Sequence, residues 1–302
     1  MRTHDDLVLL TGGFADALAA TVATLVGAGC DRIGVEDPGG HEPRQRFEAA
    51  GAEVVSVPVD EDGVRLDVLE RADVNAVLVT PAHQYPMGPV LSLKRRGGLV
   101  DWARRTGGWV IEDDYDAEFR YDREPFGAMQ ALAPDRTIHL GPVAKTLAPS
   151  IRVGWIVAPP TLVDEHGHVR EVRTSQLATL DHLIVARLID TGTYDRHLRT
   201  VRRRYRERRQ VLLEALEAAD LADRVVGPAA GLHAVLRLDP SVDDVALTEM
   251  LRDRSVEVVP LSRYALRSPE RGLVIGFGQP SPRELRRGVE VLAEALTEVP
   301  VA

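Results

Sequence analysis

Lys145 and Arg152 stand seven residues apart in Gly141-Pro-Val-Ala-Lys145-Thr-Leu-Ala-Pro-Ser-Ile-Arg152, and Lys145 is one of only two lysines among 37 basic residues. Arginine occupies nearly every other basic position. A guanidinium never deprotonates in a protein, whereas an amine can lose its proton and attack a carbonyl carbon. Lys145 is therefore the candidate for Schiff-base chemistry. A lone lysine is most often a solvated charge, so the case rests on what else the chain brings to the same place.

Two further segments carry chemistry-bearing residues directly after apolar runs. Ile111-Glu112-Asp113-Asp114-Tyr115-Asp116 follows the run from Trp109, and Thr80-Pro-Ala-His83-Gln84-Tyr85-Pro-Met-Gly88 follows Val77 to Val79. The lysine segment itself follows Ile138 to Leu140. A lysine, a strand-end aspartate with a tyrosine two residues on, and an arginine shortly after the lysine are the parts a pyridoxal phosphate site requires. The lysine forms an imine with the aldehyde, and the carboxylate keeps the pyridine nitrogen protonated so that the ring withdraws electrons. The tyrosine holds the ring's 3′-oxygen, and the arginine clamps the phosphate bidentately.

The elements that must hold these loops alternate along the chain. Short apolar runs at 33–35, 53–57, 76–79, 109–111, 137–140 and 153–157 read as strands, with helical patterns at 14–27, 42–50 and 93–105 between them. Such alternation predicts a mostly parallel sheet covered on both faces, with ligands in the crevice at the carboxyl ends of its strands. After Pro159-Pro160, long helices are expected over 172–189 and 194–218. A smaller alternating unit follows, with strands at 233–238, 256–259 and 273–277 and helices at 245–252 and 282–296. The expected organisation is a large cofactor-binding domain over 1–172, connecting helices over 173–218 and a small C-terminal α/β domain over 219–302.

A net charge of −9 opposes a nucleic-acid surface over most of the molecule. The one densely basic run, Arg196 to Arg209, carries Leu198, Val201 and Tyr205 at helical spacing, so its arginines read as the wet faces of a packed helix. No apolar stretch reaches membrane-spanning length and no secretory leader pattern is present, which predicts a cytoplasmic protein without membrane contact. The single cysteine, Cys30, cannot form an internal disulfide or a cysteine metal cage. His166-Gly-His168 beside Asp164 and Glu165 is spaced too tightly for a metal-ligand set and reads as a polar loop. No metal is expected.

The segments Gly27-Ala-Gly-Cys-Asp-Arg-Ile-Gly-Val-Glu-Asp-Pro38, Thr80 to Gly88 and Glu112-Asp-Asp-Tyr-Asp-Ala-Glu-Phe-Arg120 together resemble the aminotransferase-like domain of MocR/GabR-type proteins, which have the fold-type-I pyridoxal phosphate architecture. The likeness runs from Leu10 to the carboxyl end, including Gly192 with His197-Leu-Arg199, and Gly231-Leu-His-Ala-Val-Leu-Arg237. The resemblance implies Lys145 as the imine-forming lysine, Asp113 as the partner of the pyridine nitrogen, Tyr115 as donor to the 3′-oxygen and Arg152 as the phosphate clamp. It aligns Thr11-Gly12-Gly13 with the family's cofactor-phosphate turn, which implicates Gly13. His83 or Gln84 falls where relatives supply a further ring contact. The resemblance also implies a homodimer with pockets near its two-fold interface, and an amine or amino acid as ligand. The family's winged-helix DNA-binding domain, and the arm and helices that precede the phosphate turn, are missing, so a truncated or reduced member is expected.

Four positions depart from the family pattern. The family commonly reads Gly-Thr-Phe-Ser-Lys at the lysine, and Pro142 and Ala144 withdraw those phosphate-binding hydroxyls. Gly40 replaces a ring-stacking tyrosine; His41, one position on, either stacks in its place if the loop shifts or, the favoured reading, is a solvated loop histidine. Val274 stands where many amino-acid aminotransferases carry the arginine that grips the substrate carboxylate. The expectation is a pyridoxal phosphate aminotransferase that holds its cofactor weakly. Two alternatives stand beside it: the effector-sensing half of a MocR-type transcription regulator, and a degenerate scaffold.

Overall fold

The computed structural model describes residues 1, 3–121, 127–165, 179–227, 230–267 and 270–299. Its larger sheet is built from β1 (Val8–Thr11), β2 (Arg32–Asp37), β3 (Glu53–Asp60), β4 (Gly63–Val64), β5 (Ala76–Val79), β6 (Trp109–Asp113), β7 (Thr137–Pro142) and β8 (Gly154–Val157). Their spatial order is β1-β8-β7-β6-β5-β2-β3-β4. The central run from β7 to β3 is parallel, while β8, β1 and β4 join by antiparallel pairing at the two edges.

Both faces of the parallel run are apolar because both are covered. Leu78, Ile111, Ile138 and Leu140 pack with Leu18 and Leu25 of α1 (Phe14–Gly27). Val77, Val79 and Val110 point the other way. They pack with Leu99 and Trp102 of α4 (Leu93–Thr106), which follows α2 (His41–Ala49) and the single-turn α3 (Leu66–Leu69). From β2 the chain steps outward to β3, then returns across β2 to β5. That reversal opens a crevice at the carboxyl ends of β2 and β5, where open α/β sheets bind ligands.

Two helices, α5 (Thr179–Asp190) and α6 (Thr193–Ala218), precede the second sheet, whose strands β9 (Val225–Val226), β10 (His233–Arg237), β11 (Val259–Pro260) and β12 (Gly272–Gly276) pair antiparallel in the order β11-β12-β10-β9. The sheet packs Leu236, Leu273 and Ile275 against α6, α7 (Asp244–Asp253) and α8 (Pro282–Glu298). Local chemistry starts these helices. Asp243 accepts from the Val245 and Ala246 amides at α7. Ser281 and Glu284 form a reciprocal capping box at α8, with Pro282 in its first turn.

Several expectations needed correction. The short strands β1, β4 and β9 were not anticipated, and the strand expected over 256–259 is only Val259–Pro260. The arginines of α6 are not all solvated. Arg202 donates to the Glu118 carbonyl at 2.7 Å and Arg206 to that of Tyr121 at 3.0 Å, so this helix is stapled to the loop after β6. The domain boundary expected at 172/173 and the pair His166 and His168 lie outside the described residues. No described helix is long and apolar enough to cross a membrane, and the described residues contain no His, Cys, Asp and Glu group able to hold a metal.

Candidate functional site

A cleft of about 730 Å³ opens at the carboxyl ends of the parallel strands, and Gly13, Asp113, Tyr115, Lys145 and Arg152 all line it. Asp113 ends β6 and is 9% exposed. Its Oδ1 is buried without a hydrogen-bond partner among the described residues. Burial first, then the neighbouring carboxylates of Asp114, Asp116 and Glu36, push its carboxyl well above the ordinary range, while Lys145 pulls it back. A buried carboxylate oxygen with no partner calls for a cationic N–H donor. A protonated pyridine nitrogen is such a donor, so this residue fits the group the sequence implied.

Glu36 reaches the same cleft from the end of β2. Its Oε2 accepts the Thr80 hydroxyl at 2.5 Å, the Thr80 amide at 3.2 Å and the Gln84 amide nitrogen at 3.3 Å. Burial outweighs these bonds and pushes its carboxyl up to about 7. Tyr115 stands beside it, its hydroxyl 3.0 Å from His83 Nδ1, which in turn lies 2.8 Å from Asp116 Oδ2. The Tyr85 ring meets Tyr115 edge-on at 5.7 Å, and the Tyr85 hydroxyl is 2.8 Å from that of Tyr264. An aromatic belt thus crosses from the large sheet to the small domain.

The opposite end of the cleft is shaped for an anion. Gly13 adopts φ +90 immediately before α1, a conformation that favours glycine. The first two amides of α1, those of Phe14 and Ala15, have no intrahelical acceptor and lie at the positive end of the helix. Arg152 is held beside them by donating from Nε to the Gly12 carbonyl at 3.2 Å. Gly154 lets the turn close on β8, because a Cβ there would lie 3.0 Å from Gly13 Cα.

Lys145 is exposed to the cleft on a loop clamped from behind. Thr146 donates to the Val143 carbonyl at 2.8 Å and shares a 2.8 Å hydroxyl contact with Tyr194 of α6. His197 Nε2 donates to the Thr146 carbonyl at 2.8 Å. This gives the His197 motif a task that the sequence did not reveal: it fixes the lysine loop against α6. Pro142 and Ala144 do line the cleft, so the hydroxyls they lack are absent from the site itself.

His83 and Gln84 are placed differently from expectation. Neither lines the cleft. Gln84 spends its side chain on the Pro38 and Tyr85 carbonyls at 2.9 and 2.7 Å and on the Met87 amide at 3.0 Å. His83 stands behind Tyr115, and Tyr85 is the residue of that loop that enters the cleft. His41 also differs: it is the first residue of α2 and lines the cleft half-buried rather than lying in a solvated loop. Gly40 and Val274 line it as well. Glu36, Tyr85, His233 and Arg263 also line the cleft and were given no role; the first three lie in segments that carry the resemblance, whereas nothing in the sequence marked Arg263.

A parallel sheet with this cleft at its strand ends places the molecule in the class of fold-type-I aminotransferases. The profile of the family "Aminotransferase class I and II" matches residues 2–292, and the chain belongs to that family, whose members normally use pyridoxal phosphate. The structure superposes on an archaeal alanine:glyoxylate aminotransferase with a TM-score of 0.90 over 99% of this chain and 76% of that one; at 24% identity the likeness is one of fold. Two curated relatives are regulators by name. The pyridoxine biosynthesis transcriptional regulator PdxR of Corynebacterium glutamicum is 34% identical over 98% of this chain and 64% of its own length. The probable rhizopine catabolism regulatory protein MocR of Rhizobium meliloti is 34% identical over 95% of this chain and 59% of its own. The chain therefore spans less than two thirds of either relative.

Proposed function

We propose that the chain is a pyridoxal phosphate-binding aminotransferase-like protein in which Lys145 carries the cofactor and a small amine or amino acid is the ligand. The observation that carries this reading is the buried, unpartnered Oδ1 of Asp113 in the cleft that Lys145 enters. Pyridoxal phosphate, when bound, supplies an aldehyde that captures amines and a ring that withdraws electrons. Asp113 would hold a proton on the ring nitrogen, and the Tyr115 hydroxyl would donate to the ring oxygen. Arg152 and the first amides of α1 would bind the phosphate. The Lys145 amine would be the base that moves a proton at the ligand's α-carbon. A cytoplasmic homodimer that makes no contact of its own with nucleic acid or membrane belongs to the same reading.

Effector sensing within a regulator is the second reading. Val274 favours it, because the strand arginine of ordinary amino-acid aminotransferases is missing, and so do the regulator names of PdxR and MocR. The same residues would bind the amine, and displacement of the small domain would be the output.

Reconstitution with pyridoxal phosphate followed by borohydride reduction and peptide mapping tests the shared core of both. The phosphopyridoxyl group is expected on Lys145 and absent from Lys145→Ala. An equal yield of adduct in the variant, or attachment at Lys94, would overturn the assignment.

A further inference from the structure

We infer that Arg263 is the anchor for the ligand's carboxylate, replacing from the 3-10 turn Leu261–Tyr264 the arginine that is missing from strand position 274. The inference rests on the cofactor reading above and narrows the ligand to an amine that carries a carboxylate.

Val274 and Val259 are paired across β12 and β11, and the chain enters the turn directly after β11. Leu261 and Tyr264 are buried and pin the turn to the small domain, while Arg263 between them is exposed and lines the cleft. A cation can therefore reach the cleft from a site adjacent to the one where the strand has lost it.

Position within the cleft follows from the aromatic belt. Tyr264, next to Arg263, meets Tyr85 through its hydroxyl, and Tyr85 touches Tyr115. In pyridoxal phosphate the ring oxygen assigned to Tyr115 and the carbon that captures amines sit on adjacent ring atoms. The ligand's end of the cofactor thus belongs on the side of the cleft where the belt leads to Arg263.

Charge completes the argument. Among the described residues no hydrogen bond or ion pair engages the Arg263 side chain, although the nearby Arg271 is paired with Asp244 at 2.9 Å. The other cleft arginine, Arg152, is committed to the Gly12 turn at the phosphate end. A free guanidinium fork in a cleft matches a carboxylate bidentately, whereas a simple amine gives it nothing to bind.

The test uses two stable probes, the reduced conjugates of pyridoxal phosphate with glycine and with methylamine, which differ only by the carboxylate. Calorimetric titration of the cofactor-free protein should show the glycine conjugate binding about tenfold or more tightly than the methylamine conjugate. Arg263→Gln should abolish that ratio while leaving methylamine-conjugate affinity unchanged, which also reports that the variant is folded. Arg263→Lys should restore part of the ratio, and Arg152→Gln should weaken both conjugates alike. A ratio that survives in Arg263→Gln, or that is absent from the wild type, overturns the inference alone. If neither conjugate binds the wild type, the cofactor reading fails, and this inference with it.

Discussion

Glu36 is a carboxyl that the fold holds near neutrality for a reason unconnected with any partner charge: burial raises it from its ordinary 4.5 to about 7 despite the Thr80 and Gln84 bonds. A raised folded-state value means that its contribution to stability is full below 4.5 and is lost as pH rises through about 7. Glu36→Gln keeps an acceptor for the Thr80 hydroxyl and carries no charge. The variant's stability relative to wild type should therefore climb between these limits and level off above them, by at most about 3 kcal/mol. Urea midpoints of the cofactor-free proteins across this range test it, and a constant offset would show that Glu36 ionises normally. His233 works in the opposite sense. Burial, with His83 beside it, pushes its imidazole down to about 4, so its contribution is present above 6.5 and lost as pH falls through about 4.

At the scale of elements, the loops of the cleft are held from behind, and the entry to β10 shows how tightly. Gly231 has φ +73, and a Cβ there would lie 2.3 Å from His83 Cε1. Gly231→Ala should push on His83, and through it on the Tyr115 hydroxyl, destabilising the protein by about 1–3 kcal/mol and loosening cofactor binding together. A thermal midpoint and a cofactor dissociation constant both at wild-type values would show that the loop absorbs the methyl group. The same scale explains what could be read beforehand. Helices α4, α7 and α8 were legible from the spacing of their apolar residues, and Ser92, Asp243 and Ser281 cap them within their own first turns. Strand β1 was not, because it exists through its pairing with β8, in which Val8 faces Val157.

For the molecule as a whole, α5 poses an association problem. Leu180 and Leu183 are 70% and 62% exposed, and Ile189 lies on the same helix at 56%. Apolar surface of this kind is covered most simply by a second copy around a two-fold axis. Sedimentation velocity should show a dimer, with Leu183→Glu shifted toward monomer. A stable wild-type monomer that still takes up pyridoxal phosphate would sink the dimer and mean that each site is complete within one chain.

What the sequence by itself determined is the class of protein and the placing of Lys145, Asp113, Tyr115 and Arg152 at one cleft. Asp113, Tyr115 and Lys145 sit at or just beyond the carboxyl ends of parallel strands, and Arg152 sits just before β8, whose antiparallel run starts from that same edge. Tertiary structure alone decided which members of a loop enter that cleft. His83, Gln84 and Tyr85 are consecutive, yet Asp116 and the Pro38 carbonyl draw the first two behind the wall while Tyr264 draws the third into it. It also decided that Arg263 faces the cleft: β11–β12 pairing holds its turn near Val274, and the packing of the small domain against the large sheet brings that turn to the strand ends.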